Sequence, residues 1–107
     1  MTTWRDYLLN KSFTHTWMVY VPGLPRDLDY PEILGLNLPS AVMVLNNHED
    51  GLFTVPEMER ADRILTDVYR RAGHADRYRA KFYPGPHKFD RAMQADAFQW
   101  MDRWLKA

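Results

Sequence analysis

The stretch Ala41-Val42-Met43-Val44-Leu45, followed by Asn46-Asn47-His48-Glu49-Asp50-Gly51-Leu52-Phe53, decides the fold. It is a short apolar run held between Pro39 and an asparagine pair. Length, composition and breakers together predict a strand covered on both faces, the kind found in parallel sheets. The segment after it is helical. Thr54-Val55-Pro56-Glu57 reads as a capping box with proline in the first turn. Met58, Ala61, Leu65, Val68, Tyr69 and Ala72 then recur on one helical face. Gly73 stands where a left-handed closing residue is wanted. Tyr78-Arg79-Ala80-Lys81-Phe82-Tyr83 alternates over its first five residues, which predicts a second strand, more exposed and nearer a sheet edge. Pro84-Gly85-Pro86 stops it, and Asp90 caps a last helix with Met93, Ala97, Trp100, Met101, Trp104 and Leu105 on its apolar stripe. More than a dozen residues separate the two strands, so they are expected to pair in parallel through a right-handed crossover.

Working outward, residues 1–39 hold four of the seven prolines and read as an irregular segment ahead of a regular βαβα unit at 40–107. Within it, Trp4, Tyr7 and Leu8 suit a short helix, and Trp17 to Val21 suits extended chain. Asp29-Tyr30-Pro31-Glu32 is a capped helix start running through Ile33-Leu34 to Gly35. The whole is one α/β domain, since 107 residues allow no second core. Fourteen basic residues balance fourteen acidic ones. No cationic surplus speaks for nucleic acid as a partner. Without cysteine there is no disulfide framework, thiolate metal site or cysteine nucleophile. The wholly apolar run Ala41 to Leu45 is too short for a membrane span. No secretory leader is visible in Met1-Thr-Thr-Trp-Arg-Asp, and the expected compartment is the cytoplasm.

Ligands of open parallel sheets bind beyond the carboxyl ends of the strands. Two loops leave those ends, the acid-rich Asn46 to Phe53 and Pro84-Gly85-Pro86-His87-Lys88-Phe89. If the strands are neighbours, an acid and a histidine face each other across one edge. A carboxylate that accepts the Nδ1 proton of histidine fixes its tautomer and leaves Nε2 as a base. Asp50 and His87 suit those roles, with Glu49 as the neighbouring acid. The same residues also suit plain structural duties, Asp50 opening the turn into the next helix and His87 preceding the last one. His48, Glu49, Asp50 and the pair His74 and Asp76 are metal-capable, but adjacent residues of one loop rarely converge on an ion, and no metal or other cofactor is expected. Arg60, Arg63, Arg70 and Arg71 alternate with acids and read as a solvated helix face.

In order and spacing these segments resemble the C-terminal portion of an α/β-hydrolase. The nearest branch is the esterase-like one that includes acetyl xylan esterases and dienelactone hydrolases. Glu49-Asp50-Gly51-Leu52-Phe53 resembles the family's acid loop, and Phe82-Tyr83-Pro84-Gly85-Pro86-His87-Lys88-Phe89 its histidine loop. Ala97 to Leu105 resembles its closing helix. The likeness runs from about Leu28 to Leu105. It implies a serine ester hydrolase, Asp50 as the orienting acid and His87 as the general base. It also implies a G-x-S-x-G elbow upstream, and here the sequence departs. Its serines are Ser12 and Ser40, neither flanked by glycines in that pattern, and Ser40 precedes the first strand. The resemblance therefore covers a partial α/β-hydrolase fold, two parallel strands with flanking helices. Such a C-terminal fragment is expected to be inactive alone and to need a chain carrying the serine half. A two-strand parallel sheet has uncovered edges, so self-association into a homodimer or larger oligomer is the other expectation, as a non-catalytic module on a hydrolase scaffold.

Overall fold

The strands β1 (Val42–Asn47) and β2 (Tyr78–Tyr83) pair in parallel, Val42 opposite Tyr78 and Asn47 opposite Tyr83. They form a two-stranded sheet in the computed structural model, which describes residues 1–15 and 17–106. Ahead of the sheet lie α1 (Trp4–Leu9), a 3-10 turn (Trp17–Val19), α2 (Leu24–Asp27) and α3 (Tyr30–Gly35). The crossover is α4 (Val55–Arg71) and a 3-10 turn (Ala75–Arg77), and α5 (Arg91–Leu105) closes the chain.

The core lies against α4. Met58, Ala61, Leu65 and Tyr69, one stripe of the periodic pattern, are buried. Each of the larger three gains roughly 1.5–3 kcal/mol over an exposed position. Tyr69 stacks on Tyr78 and donates its hydroxyl to the Ser40 carbonyl at 2.8 Å. Tyr78 in turn donates to Asp62 at 2.8 Å. Helix α3 meets α4 closely, because a Cβ on Gly35 would lie only 3.1 Å from Val68 Cγ1. Gly73 ends α4 at φ 76°, a left-handed conformation that glycine adopts without a Cβ penalty.

Several expectations need correction. Residues 1–39 form the two expected short helices, at Trp4 and after Asp29, and a further one, α2, around Pro25. Pro25 and Pro31 sit in the first turns of α2 and α3, where a missing N–H costs nothing. Trp17–Val19 is a 3-10 turn rather than extended chain. Strand β1 runs two residues beyond Leu45, so that Asn46 and Asn47 belong to the ladder and are buried. The apolar residues of β1 are half-exposed, not covered on both faces, because the groove between β1 and α5 leaves one face open at Met43 and Leu45. The capping box at Thr54 does not form. Thr54 gives its hydroxyl to Asp6, and Glu57 turns to Thr3, Arg5 and Arg60. The box at Asp29 and Glu32 does form, and Asp90 caps α5 through Met93 N at 3.0 Å.

On the α5 side, Met43 and Leu45 of β1 and Trp100, Met101 and Trp104 of α5 line an open cavity of about 380 Å³. The stripe of α5 is therefore only part core. Met93 is buried, while Met101 and Leu105 stay exposed. Among the described residues no helix is long and apolar enough to cross a membrane.

Candidate acid–histidine site

Parallel pairing brings the ends of β1 and β2 to one edge, and the ladder continues past them. His48 N donates to the Tyr83 carbonyl at 2.8 Å, and Glu49 N to the Gly85 carbonyl at 3.1 Å. Asn47 Nδ2 adds a bond to the Lys88 carbonyl at 3.1 Å. The two loops are thus fastened to each other by backbone geometry before any ionisable side chain is considered. Gly85 makes the return possible at φ 98°, and a side chain there would also press on Lys88, with Cβ 3.1 Å from Nζ.

Asp50 is buried and divides its two oxygens. Oδ1 accepts the Leu52 N–H at 2.9 Å, an Asx turn that shapes the loop. Oδ2 lies 2.9 Å from His87 Nδ1. An ionised carboxylate only accepts, so the proton of this bond sits on Nδ1 and the neutral ring keeps Nε2 as an acceptor. Exposure is asymmetric: the Asp50 side chain is 6% accessible and that of His87 is 69% accessible. The acid is held within the loop, and the imidazole it orients faces outward. Such an arrangement can take a proton from a hydroxyl or a water brought to Nε2 and can stabilise the resulting imidazolium.

The remaining candidates lie apart. His87 meets Asp50 and not Glu49, which is exposed. The His48 ring rests against Phe82. Ser40 is at the amino end of β1, across the sheet from the pair, with its carbonyl engaged by Tyr69. Ser12 offers its carbonyl to the Tyr20 hydroxyl. No three His, Asp or Glu side chains gather around a point among the described residues.

Two side chains near the site carried no sequence signal. Asp6 of α1 is fully buried and accepts both the backbone N–H and the hydroxyl of Thr54, at 2.9 and 2.8 Å. Lys11 donates to the Gly51 carbonyl at 2.8 Å. No local pattern links polar residues so far apart in the chain.

No protein-family model matches the chain, and no solved structure matches it. Among curated proteins it is similar to one from Bacillus subtilis (strain 168) named "Putative hydrolase YtaP", 28% identical over 91 residues. That alignment takes in 85% of this chain and 30% of the Bacillus protein, so the chain spans under a third of the relative's length.

Proposed function

We propose that this chain supplies the acid and the histidine of a carboxylic-ester hydrolase of the α/β-hydrolase type, with the serine nucleophile and oxyanion donors carried by another polypeptide segment. The observation that carries this reading is the 2.9 Å contact of His87 Nδ1 with Asp50 Oδ2, between loops leaving the same ends of adjacent parallel strands. Similarity to a protein named as a hydrolase supports the class of reaction. In this mechanism His87 Nε2 takes the proton of the serine hydroxyl as it attacks the ester carbonyl. It then returns that proton to the departing alcohol, and the same nitrogen activates water in the second half-reaction. Asp50 holds the tautomer and stabilises the imidazolium throughout.

The test is complementation. The chain alone is expected to leave a short-chain nitrophenyl ester unturned. Mixed with a hydrolase segment that bears the serine elbow and ends before its own acid loop, it should restore turnover. His87→Ala should lower that rate by roughly 10⁶-fold and Asp50→Asn by roughly 10⁴-fold, as loss of the corresponding triad member does elsewhere. Turnover by the isolated chain that His87→Ala abolishes would remove the need for an external serine. Neither binding nor turnover on mixing would sink the reading as a whole.

A second reading, a self-associating module, is favoured by one observation. Among the described residues β1 is paired on one side only, and its six residues carry no charge to protect the other edge. Two copies joined along β1 would cover that edge and the apolar groove beside it. Sedimentation at micromolar concentration should then give a dimer or larger species, and a well-folded monomer would exclude it.

A further inference from the structure

Beyond Asp50 the acid loop is also held from outside. Between Asp50 and the start of α4 lie only Gly51, Leu52, Phe53 and Thr54, and contacts from the amino-terminal segment reach three of these four. Lys11 Nζ donates to the Gly51 carbonyl at 2.8 Å. His15 stacks on Phe53 with ring centroids 5.6 Å apart and planes 5° apart, and Tyr7 meets the same ring edge-on at 6.1 Å. Asp6 takes the Thr54 backbone N–H on Oδ2 and the Thr54 hydroxyl on Oδ1. Asp6 is itself immobilised, being fully buried and accepting further bonds from Thr2 at 2.5 Å and Asn10 at 3.0 Å. Lys11 is fixed by the end of α1, its backbone N–H on the Asp6 carbonyl at 2.9 Å.

We infer that Asp6 and Lys11 are positioning residues for Asp50: they clamp the loop at Gly51 and at Thr54 and so set the orientation of the carboxylate toward His87. This rests on the acid–histidine reading and adds a task for the amino-terminal segment. Gly51 lends the loop no stiffness, since it has no side chain and open space around it. At the acid the loop's own braces are the Asp50 bond to Leu52 N and the Asp50 N–H on the Asn47 carbonyl at 3.3 Å, and neither reaches the stretch from Phe53 to Thr54. A pivot of about 1 Å in such a loop is enough to lose a hydrogen bond that is 2.9 Å long.

The experiment reads the histidine, not turnover. In the full chain, ¹⁵N-labelled histidine reports the proportion of neutral His87 that carries its proton on Nδ1, and the shifted Nδ1–H resonance reports the bond to Asp50. Asp50→Asn is expected to abolish that resonance. Lys11→Met and Asp6→Asn should each weaken or lose it, with Lys11→Arg restoring it. Tyr78→Phe, which removes a remote hydrogen bond to Asp62, should leave it unchanged. Asp6→Asn risks the docking of α1, so the partly exposed Lys11→Met is decisive, with helical circular dichroism verifying the fold. An unchanged resonance in folded Lys11→Met and Asp6→Asn, alongside its loss in Asp50→Asn, overturns the clamp and leaves the pair standing. An unchanged resonance in Asp50→Asn overturns the pair and the clamp with it.

Discussion

At the scale of single residues, the site depends on one buried acid whose two oxygens do different work. Asp50 Oδ1 shapes its own loop and Oδ2 orients His87. Asn at this position keeps the shape of the side chain but offers an amide where a carboxylate is needed, which is why Asp50→Asn is the informative variant. Glycines set a different kind of limit. Gly73 has open space around it, yet its φ of 76° penalises any side chain. Gly73→Ala is expected to cost about 1–2 kcal/mol, measured by urea unfolding. Gly35 is the converse case, with an ordinary backbone and no room. Its Cβ would meet the stiff β-branched Val68 at 3.1 Å, and Gly35→Ala should lower stability by about 1 kcal/mol or more.

At the scale of elements, caps and ladders divide what was legible from what was not. The box at Asp29 and Glu32, the Asp90 cap and the Gly73 terminus are local devices, and the four-residue patterns that encode them read correctly. Thr54 and Glu57 have the same pattern, but their polar atoms found tertiary partners in Asp6, Thr3 and Arg5 instead. A motif states what a side chain can do locally; it does not list the competitors that folding brings within reach. Asp29 also accepts the Trp4 N–H at 2.9 Å, which ties α1 to the start of α3. Asp29→Ala should therefore cost about 2 kcal/mol, more than an isolated cap, and should loosen α1 together with α3 in hydrogen exchange.

Across the whole molecule, α1 is joined to α4 largely by polar groups around two buried carboxylates. Burial pushes both Asp6 and Glu57 upward, but hydrogen bonds outweigh it. Bonds from Thr2, Thr54 and Asn10 hold Asp6 below the ordinary carboxylate range. Thr3, Arg5 and Arg60 do the same for Glu57. A carboxyl depressed in the folded state contributes stability that is present above its unfolded value, near pH 4, and is lost as pH falls through the folded value. Acidification from about pH 4 downward should accordingly release the amino-terminal helix, and Asp6→Asn should flatten that part of the profile, read by unfolding at a series of pH values. Since Thr54 and Gly51 hang on the same segment, the clamp proposed for the acid loop should loosen over the same range.

What the amino-acid sequence determined by itself was everything carried by periodicity and local chemistry. That covers two strands and their parallel order, the span of α4 and α5, most of the caps, and the two loops holding Asp50 and His87. The tertiary structure alone decided the 2.9 Å contact between the expected acid and histidine, how far β1 extends, and that the leading segment braces the acid loop. The reason is physical. Spacing along the chain fixes the face on which a side chain lies, but a hydrogen bond is made or lost within about half an ångström. Only the packing of α1 against α4, and of the two loops against each other, sets distances that finely.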